Sequence, residues 1–100
     1  RPADLAFARS TLRQAAVAEA LQVKLEVAPS FTGTLYVVGQ VENPTGSRIA
    51  TLRLMVEDHN GRREKVELWE VPPRSTTQVM QVTSLERGPV TFRLDRLQVF

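Results

Sequence analysis

The sequence contains no cysteine and one histidine, His59, among its 100 residues. The lack of cysteine excludes disulfide bonds, thiolate catalysis and cysteine-ligated zinc, and one histidine supplies too few ligands for a zinc site. Glycine-rich phosphate loops are missing, and no apolar run approaches the roughly 18 residues of a membrane-spanning helix. We therefore predict no catalytic residue, no metal site, no cofactor, no small-molecule substrate and no transmembrane segment. The chain is not expected to be an enzyme.

Charge of one sign is also scarce, because 13 basic residues face 11 acidic ones and leave a net charge of +2. This excess is small for a protein whose binding depends on phosphate contacts. Arg87, Arg93 and Arg96 are candidates for a basic patch, but no aromatic residues alternate with these arginines as single-strand binding requires. We do not expect nucleic acid as a partner. Arginine-mediated binding of nucleic acid or another acidic ligand is kept as the alternative function.

The sequence does contain an alanine-rich segment that is followed by strand patterns. The length of the chain suits one hydrophobic core. Residues 3–20 lack proline and glycine, and Leu5 and Leu12 recur at helical spacing. From Leu21 onward the apolar period changes to two, which is typical of half-buried strands. We predict an N-terminal helix within residues 1–20 and a β-sandwich domain over residues 21–100.

Six strand patterns with turn residues between them predict an antiparallel, immunoglobulin-like β-sandwich of about six to seven strands. In the first hairpin we expect Val27 to face Leu35, which would place the aliphatic side chains on one face. In the last strand the apolar parity changes between Leu94 and Leu97. A bulge near Asp95 would reconcile the two halves.

The stretch VEDHNGRREKVELW resembles a metal or catalytic site, because it places His59 among acidic residues. A hairpin loop of His59, Asn60 and Gly61 explains it better, with glycine at the position of positive φ and Asp58 closing against Arg62. Counting outward from that pair sets Leu54 opposite Val66 and Leu52 opposite Leu68 on one face, and sets Glu57 opposite Arg63 and Arg53 opposite Glu67 on the other. We therefore predict a turn with an exposed His59 rather than a metal or catalytic site.

The possible interaction surface consists of four apolar residues of the helix and one aromatic residue of the sandwich: Leu5, Phe7, Leu12, Val17 and Trp69. An isolated helix of this length is marginal in water, so it must pack on something. Ala20 runs directly into the strand at Leu21, and we expect the helix to project away and to mediate self-association or contact a protein partner. Trp69 has two open interpretations, a half-buried core residue or an exposed ligand platform.

Three segments, VVGQVEN, LRLMVEDHNG and VPPRST, together resemble the bacterial FxLYD-type domains and related immunoglobulin-like envelope sandwiches. The matching positions are Gly39, Val41, Asn43, Asp58, Gly61 and Pro73, whereas Leu54, Glu57 and Arg74 depart from the pattern. The resemblance covers residues 21–100 and implies a small extracytoplasmic or membrane-associated domain of the bacterial envelope without enzymatic activity. The function that we expect is a non-catalytic protein-interaction or assembly domain.

Overall fold

The computed structural model describes residues 12–100, in which one helix, α1 (residues 12–20), precedes seven strands. The strands are β1 Gln22–Pro29, β2 Leu35–Asn43, β3 Ile49–Glu57, β4 Arg63–Val71, β5 Ser75–Val82, β6 Gly88–Pro89 and β7 Thr91–Val99. All pairings are antiparallel, and the predicted mainly-β sandwich with an N-terminal helix is confirmed. No helix within residues 12–100 has the length and apolar content that a membrane crossing needs.

The strands form two sheets, sheet A in the order β5-β2-β1-β6 and sheet B in the order β4-β3-β7. As in the immunoglobulin pattern, the first, second and fifth strands share one sheet and the third strand lies in the other, whereas β4 lies beside β3 in sheet B. In immunoglobulin sandwiches a further strand follows beside the strand that corresponds to β7. Among the described residues no strand occupies that position.

The core lies between the two sheets and is built mainly from valine and leucine at alternating strand positions. Its fully buried members from both sheets include Val37, Val41, Leu52, Leu54 and Val56. Ile49 and Val71 join this core although they share strand parity with outward-facing neighbours. On β4, Glu70 lies between the exposed Trp69 and the buried Val71 with a φ of 69°, and this left-handed residue turns Val71 toward the core.

The first hairpin keeps the predicted face but not the predicted register. Val27 lies opposite Val37 rather than Leu35, and Leu35 pairs with Pro29. The loop is therefore shorter than the sequence indicated, because β1 continues through Pro29 and the turn spans residues 30–34. A shift of two residues preserves side-chain parity, so the aliphatic residues still face the core.

Strand β7 contains the predicted bulge. Leu97 pairs with Leu52 and Leu94 pairs with Leu54, and the register shifts between these pairs, which leaves Asp95 without a counterpart on β3. The extra residue restores inward parity to both leucines. A second irregularity occurs opposite Ala50, near the end of the strand.

Helix α1 packs on its own sandwich, so the expectation that it projects away is wrong for residues 12–20. The side chain of Val17 is 2% exposed and belongs to the hydrophobic core. The backbone N–H of Val99 donates to Oε1 of Gln14 at 3.3 Å, and the N–H of Leu21 donates to the carbonyl of Val17 at 3.1 Å. The short connection from Ala20 to β1 is compatible with this packing, in which Gln14 contacts the end of β7.

The two flanks of the sandwich are closed differently. On the β4/β5 flank the side chain of Gln81 donates to the carbonyl of Lys65 at 2.9 Å, and the hydroxyl of Thr83 donates to the carboxylate of Glu64. On the opposite flank Val90 alone separates β6 in sheet A from β7 in sheet B. That flank is therefore closed at one end by the crossing chain and at the other end by α1.

Candidate interaction surfaces

The hairpin tip between β3 and β4 has the predicted turn geometry. The N–H of Asp58 donates to the carbonyl of Arg62 at 3.0 Å, and Gly61 has a φ of 82°. All four predicted cross-strand pairs, Leu54 with Val66, Leu52 with Leu68, Glu57 with Arg63 and Arg53 with Glu67, are present. The predicted loop and its register are confirmed.

The carboxylate of Asp58 is buried and works as a structural acceptor. Its Oδ1 accepts the N–H groups of Asn60 and Arg62 at 2.9 and 3.0 Å, and its Oδ2 accepts the N–H of Glu86 at 2.9 Å. The bond from Glu86, followed by the bonds from Arg62 and Asn60 and by the proximity of His59, lowers the pKa of Asp58 against an opposing effect of desolvation. The carboxylate of Asp58 thus stabilises the turn through its hydrogen bonds.

His59 is exposed, as predicted, and its Nε2 lies 3.1 Å from Oε2 of Glu86. Within residues 12–100 no group of three or more histidine and acidic side chains comes together at a spacing suited to a metal ion. The contact between His59 and Glu86 is exposed, and exposed contacts of this kind contribute little to stability. The residues of the hairpin tip therefore have a structural role in the turn, and His59 adds one contact at the surface.

The resemblance motif around Asn43 has a structural explanation. The amide nitrogen of this fully buried residue donates to the carbonyls of Ser47 at 2.8 Å and Pro72 at 3.1 Å. Its Oδ1 accepts the N–H of Thr45 at 3.1 Å and the hydroxyl of the same residue at 2.6 Å. Asn43 thereby ties the loop after β2 to the turn after β4.

The outer face of sheet A carries an apolar surface that the strand pairing brings together. Val38 lies opposite Met80, and Tyr36 lies opposite Val82 on the same face. Met80 is 70% exposed and Val82 is 62% exposed. The name sheet A patch is used below for these four residues. Phe31, fully exposed in the adjacent hairpin turn, lies beyond one end of the patch.

Polar side chains border the sheet A patch. Gln40 and Gln78 form the next cross-strand pair, and Lys24 lies opposite Gln40. Glu26 lies opposite Val38 on the same face. An apolar centre with a polar rim is typical of protein interfaces.

A shallow hollow of about 570 Å³ lies beside the patch and is lined by residues that include Val38, Gly39 and Met80. It forms where β1 and β2 approach closely, because Gly39 has no side chain. A Cβ atom at Gly39 would lie 1.8 Å from the backbone oxygen of Lys24. The hollow is open, whereas small-molecule pockets enclose most of their ligand.

The outer face of sheet B is mainly charged. Nε of Arg53 lies 3.2 Å from Oε1 of Glu67, which also lies 3.8 Å from Nζ of Lys65. Arg53 also approaches Asp95, with Nη1 and Oδ2 3.7 Å apart. At one end Trp69 stands opposite Thr51 with 72% of its surface exposed. The half-buried interpretation of Trp69 is wrong, since its position on β4 points away from the core.

The residues predicted for an interaction surface do not form one surface in the described part of the chain. Leu5 and Phe7 lie outside the described residues. Leu12 is exposed on α1, whereas Val17 is part of the core and is therefore removed from the candidate surface. Trp69 lies in sheet B.

The prediction also missed the sheet A patch. Its signal was available, because Val37 and Val38, and likewise Val79 and Met80, are adjacent apolar residues in strands. Neighbours in a strand point to opposite faces, so such pairs place one apolar residue outside.

In comparisons with protein-family models, with characterised proteins and with solved structures, nothing matches this chain. The class that the structure defines is a two-sheet antiparallel β-sandwich.

Proposed function

We propose that this domain is a non-catalytic protein-interaction or assembly domain, and that its partner surface is the sheet A patch. The observation that carries the proposal is the pairing of Val38 with Met80 and of Tyr36 with Val82 on the outside of sheet A. Exposure of such side chains in one contiguous patch costs solvation free energy that burial against another protein would recover. The resemblance to FxLYD-type domains supports assignment to the bacterial cell envelope as part of the same proposal.

The occupant that fits the patch is a second copy of this chain. Symmetric dimers bury the same patch on both subunits, so the patch must be complementary to itself. The apolar centre satisfies this requirement, and its rim carries both signs of charge through Lys24 and Glu26. Two outer sheet faces can pack at about 10 Å, the spacing of stacked sheets.

Sedimentation velocity on the full chain, over about 1 µM to 1 mM, tests this proposal. We expect reversible dimerisation that Met80→Glu weakens at least tenfold, because the charge would be buried. Gln78→Glu is the matched control, since Gln78 lies on the same strand and face within the polar rim. It should leave the dimerisation constant within about threefold.

Two outcomes would overturn the proposal: a monomer at every concentration, or equal effects of Met80→Glu and Gln78→Glu. Leu12→Glu distinguishes the sheet A patch from the helix surface predicted from the sequence. If Leu12→Glu dissociates the dimer and Met80→Glu does not, α1 and not sheet A forms the interface. Urea unfolding of each variant checks that the fold is retained.

A further inference from the structure

A different surface, independent of the sheet A patch, lies at the free edge of β7. Thr91–Val99 pairs with β3 on one side, and no described strand pairs with it on the other. Such an edge presents backbone N–H and C=O groups that can pair with another strand. Helix α1 covers only the far end, where Gln14 accepts the N–H of Val99.

The uncovered part of the edge has an apolar inner side. Phe92 and Leu94 face inward opposite Val56 and Leu54, yet they are 43% and 42% exposed. Leu97 and Val99, nearer to α1, are partly buried against the core. On the facing edge of sheet A, β6 pairs with only Glu26 and Val27 of β1. The flank is therefore open between Val90 and α1.

The outer side of the same segment is positively charged. Arg93 and Arg96 lie opposite Met55 and Arg53 and are exposed. Within residues 12–100 neither Arg93 nor Arg96 forms an ion pair, whereas Asp95 is engaged by Arg53. An added strand would thus meet apolar side chains on its inner face and arginines on its outer face.

We propose that the free edge of β7 binds an extended segment of a partner protein in which apolar and acidic residues alternate. Backbone pairing with residues 91–96 would continue sheet B, which is the strand-addition mode of peptide recognition. Apolar side chains of the segment would cover Phe92 and Leu94, and its carboxylates would face Arg93 and Arg96.

The occupant of this edge is not a second copy of β7. In an antiparallel pair of two β7 edges, Arg93 and Arg96 of both copies would gather on one side of the extended sheet. Like charges in such positions are destabilising, and arginine together with the bulge at Asp95 is a common protection of edges against self-pairing. An acidic segment converts the same charges into attraction.

The probe is a synthetic peptide of about nine alternating valine and glutamate residues, which matches the length of β7. It is titrated into the full, ¹⁵N-labelled chain and followed by NMR shifts and amide exchange. We expect shifts and slowed exchange to concentrate at residues 91–96. A valine and lysine peptide of equal length should bind at least tenfold more weakly.

Three matched experiments separate strand addition from simple charge attraction. Methylation of alternate peptide nitrogens removes the N–H donors of one edge but keeps every charge, and it should abolish binding through that edge. Arg93→Glu and Arg96→Glu should each weaken binding of the glutamate peptide and strengthen binding of the lysine peptide. Lys24→Glu, a charge reversal on the outside of sheet A, should change neither affinity.

The proposal is overturned if the peptide does not bind, if the methylated peptides with either set of blocked nitrogens bind as well, or if the shifts lie outside residues 91–96. It is also overturned if an oligothymidine binds at residues 91–96 while the glutamate peptide does not, because the arginines would then serve a nucleic-acid ligand. The role of the sheet A patch is tested by dimerisation of the chain without peptide. The two proposals are therefore tested separately, and either one can fail while the other holds.

Discussion

The backbone N–H of Glu86 donates to Oδ2 of Asp58 at 2.9 Å and joins the β3–β4 hairpin tip to the loop that leads into β6. These two residues are far apart in the chain, and their bond fixes the end of sheet B against the loop that connects β5 and β6 of sheet A. The hairpin sequence therefore has a tertiary role in addition to its local one.

Asp58→Asn should lower the free energy of unfolding near neutral pH, because the neutral amide offers one acceptor oxygen where the carboxylate offers two. The pKa of Asp58 is lowered in the folded state. Its contribution is therefore present above the ordinary value of 3.8 and is lost as the pH falls through the folded value. Urea unfolding at a series of pH values should show the difference between the two proteins narrowing in acid. A constant difference at all pH values would contradict this role.

Gly39→Ala should destabilise the fold by roughly 2–4 kcal/mol through strain and overpacking. Its φ is 152°, and the new Cβ would collide with the backbone oxygen of Lys24. Gly33→Ala is the control, because Gly33 also has a positive φ but faces open space. Its cost should be about 1 kcal/mol, from the left-handed penalty alone. Equal losses in chemical denaturation would show that the contact with β1 is unimportant.

Asn43→Ala should cost roughly 2–4 kcal/mol, since it leaves two carbonyls and one N–H group of the loops without their partner. Asn60→Ala removes the same side chain from an exposed position and should change stability by no more than about 0.5 kcal/mol. Thermal and urea unfolding of the two variants give the comparison. A small effect at Asn43 would mean that water replaces its bonds.

Val17→Ala should destabilise the protein by about 1–3 kcal/mol, because the valine side chain lies in the core between α1 and the sandwich. Leu12→Ala, on the exposed part of the same helix, should have an effect below about 0.5 kcal/mol. The free energies of unfolding of both variants measure how far α1 belongs to the folded unit. If Val17→Ala were silent, the packing of α1 on the sandwich would contribute little to stability.

Local patterns determined most of the sandwich. The alternation of Leu52, Leu54 and Val56 specified a buried face. The loop 59–61, with Gly61 and the flanking charges, specified both the turn and its register. The parity change between Leu94 and Leu97 located the bulge. These features depend on neighbours in sequence or on one adjacent strand, so the side-chain period of two is sufficient to predict them.

Only the tertiary structure decided where α1 packs and which sheet faces are covered. The position of α1 depends on packing between distant parts of the chain, which no local pattern encodes, and Val17 belongs to the core instead of an interface. The exposure of Trp69, Met80 and Phe92 likewise depends on which sheet covers each face and where a flank remains open. Burial is a property of the whole arrangement of layers, whereas periodicity reports only which side chains share a face.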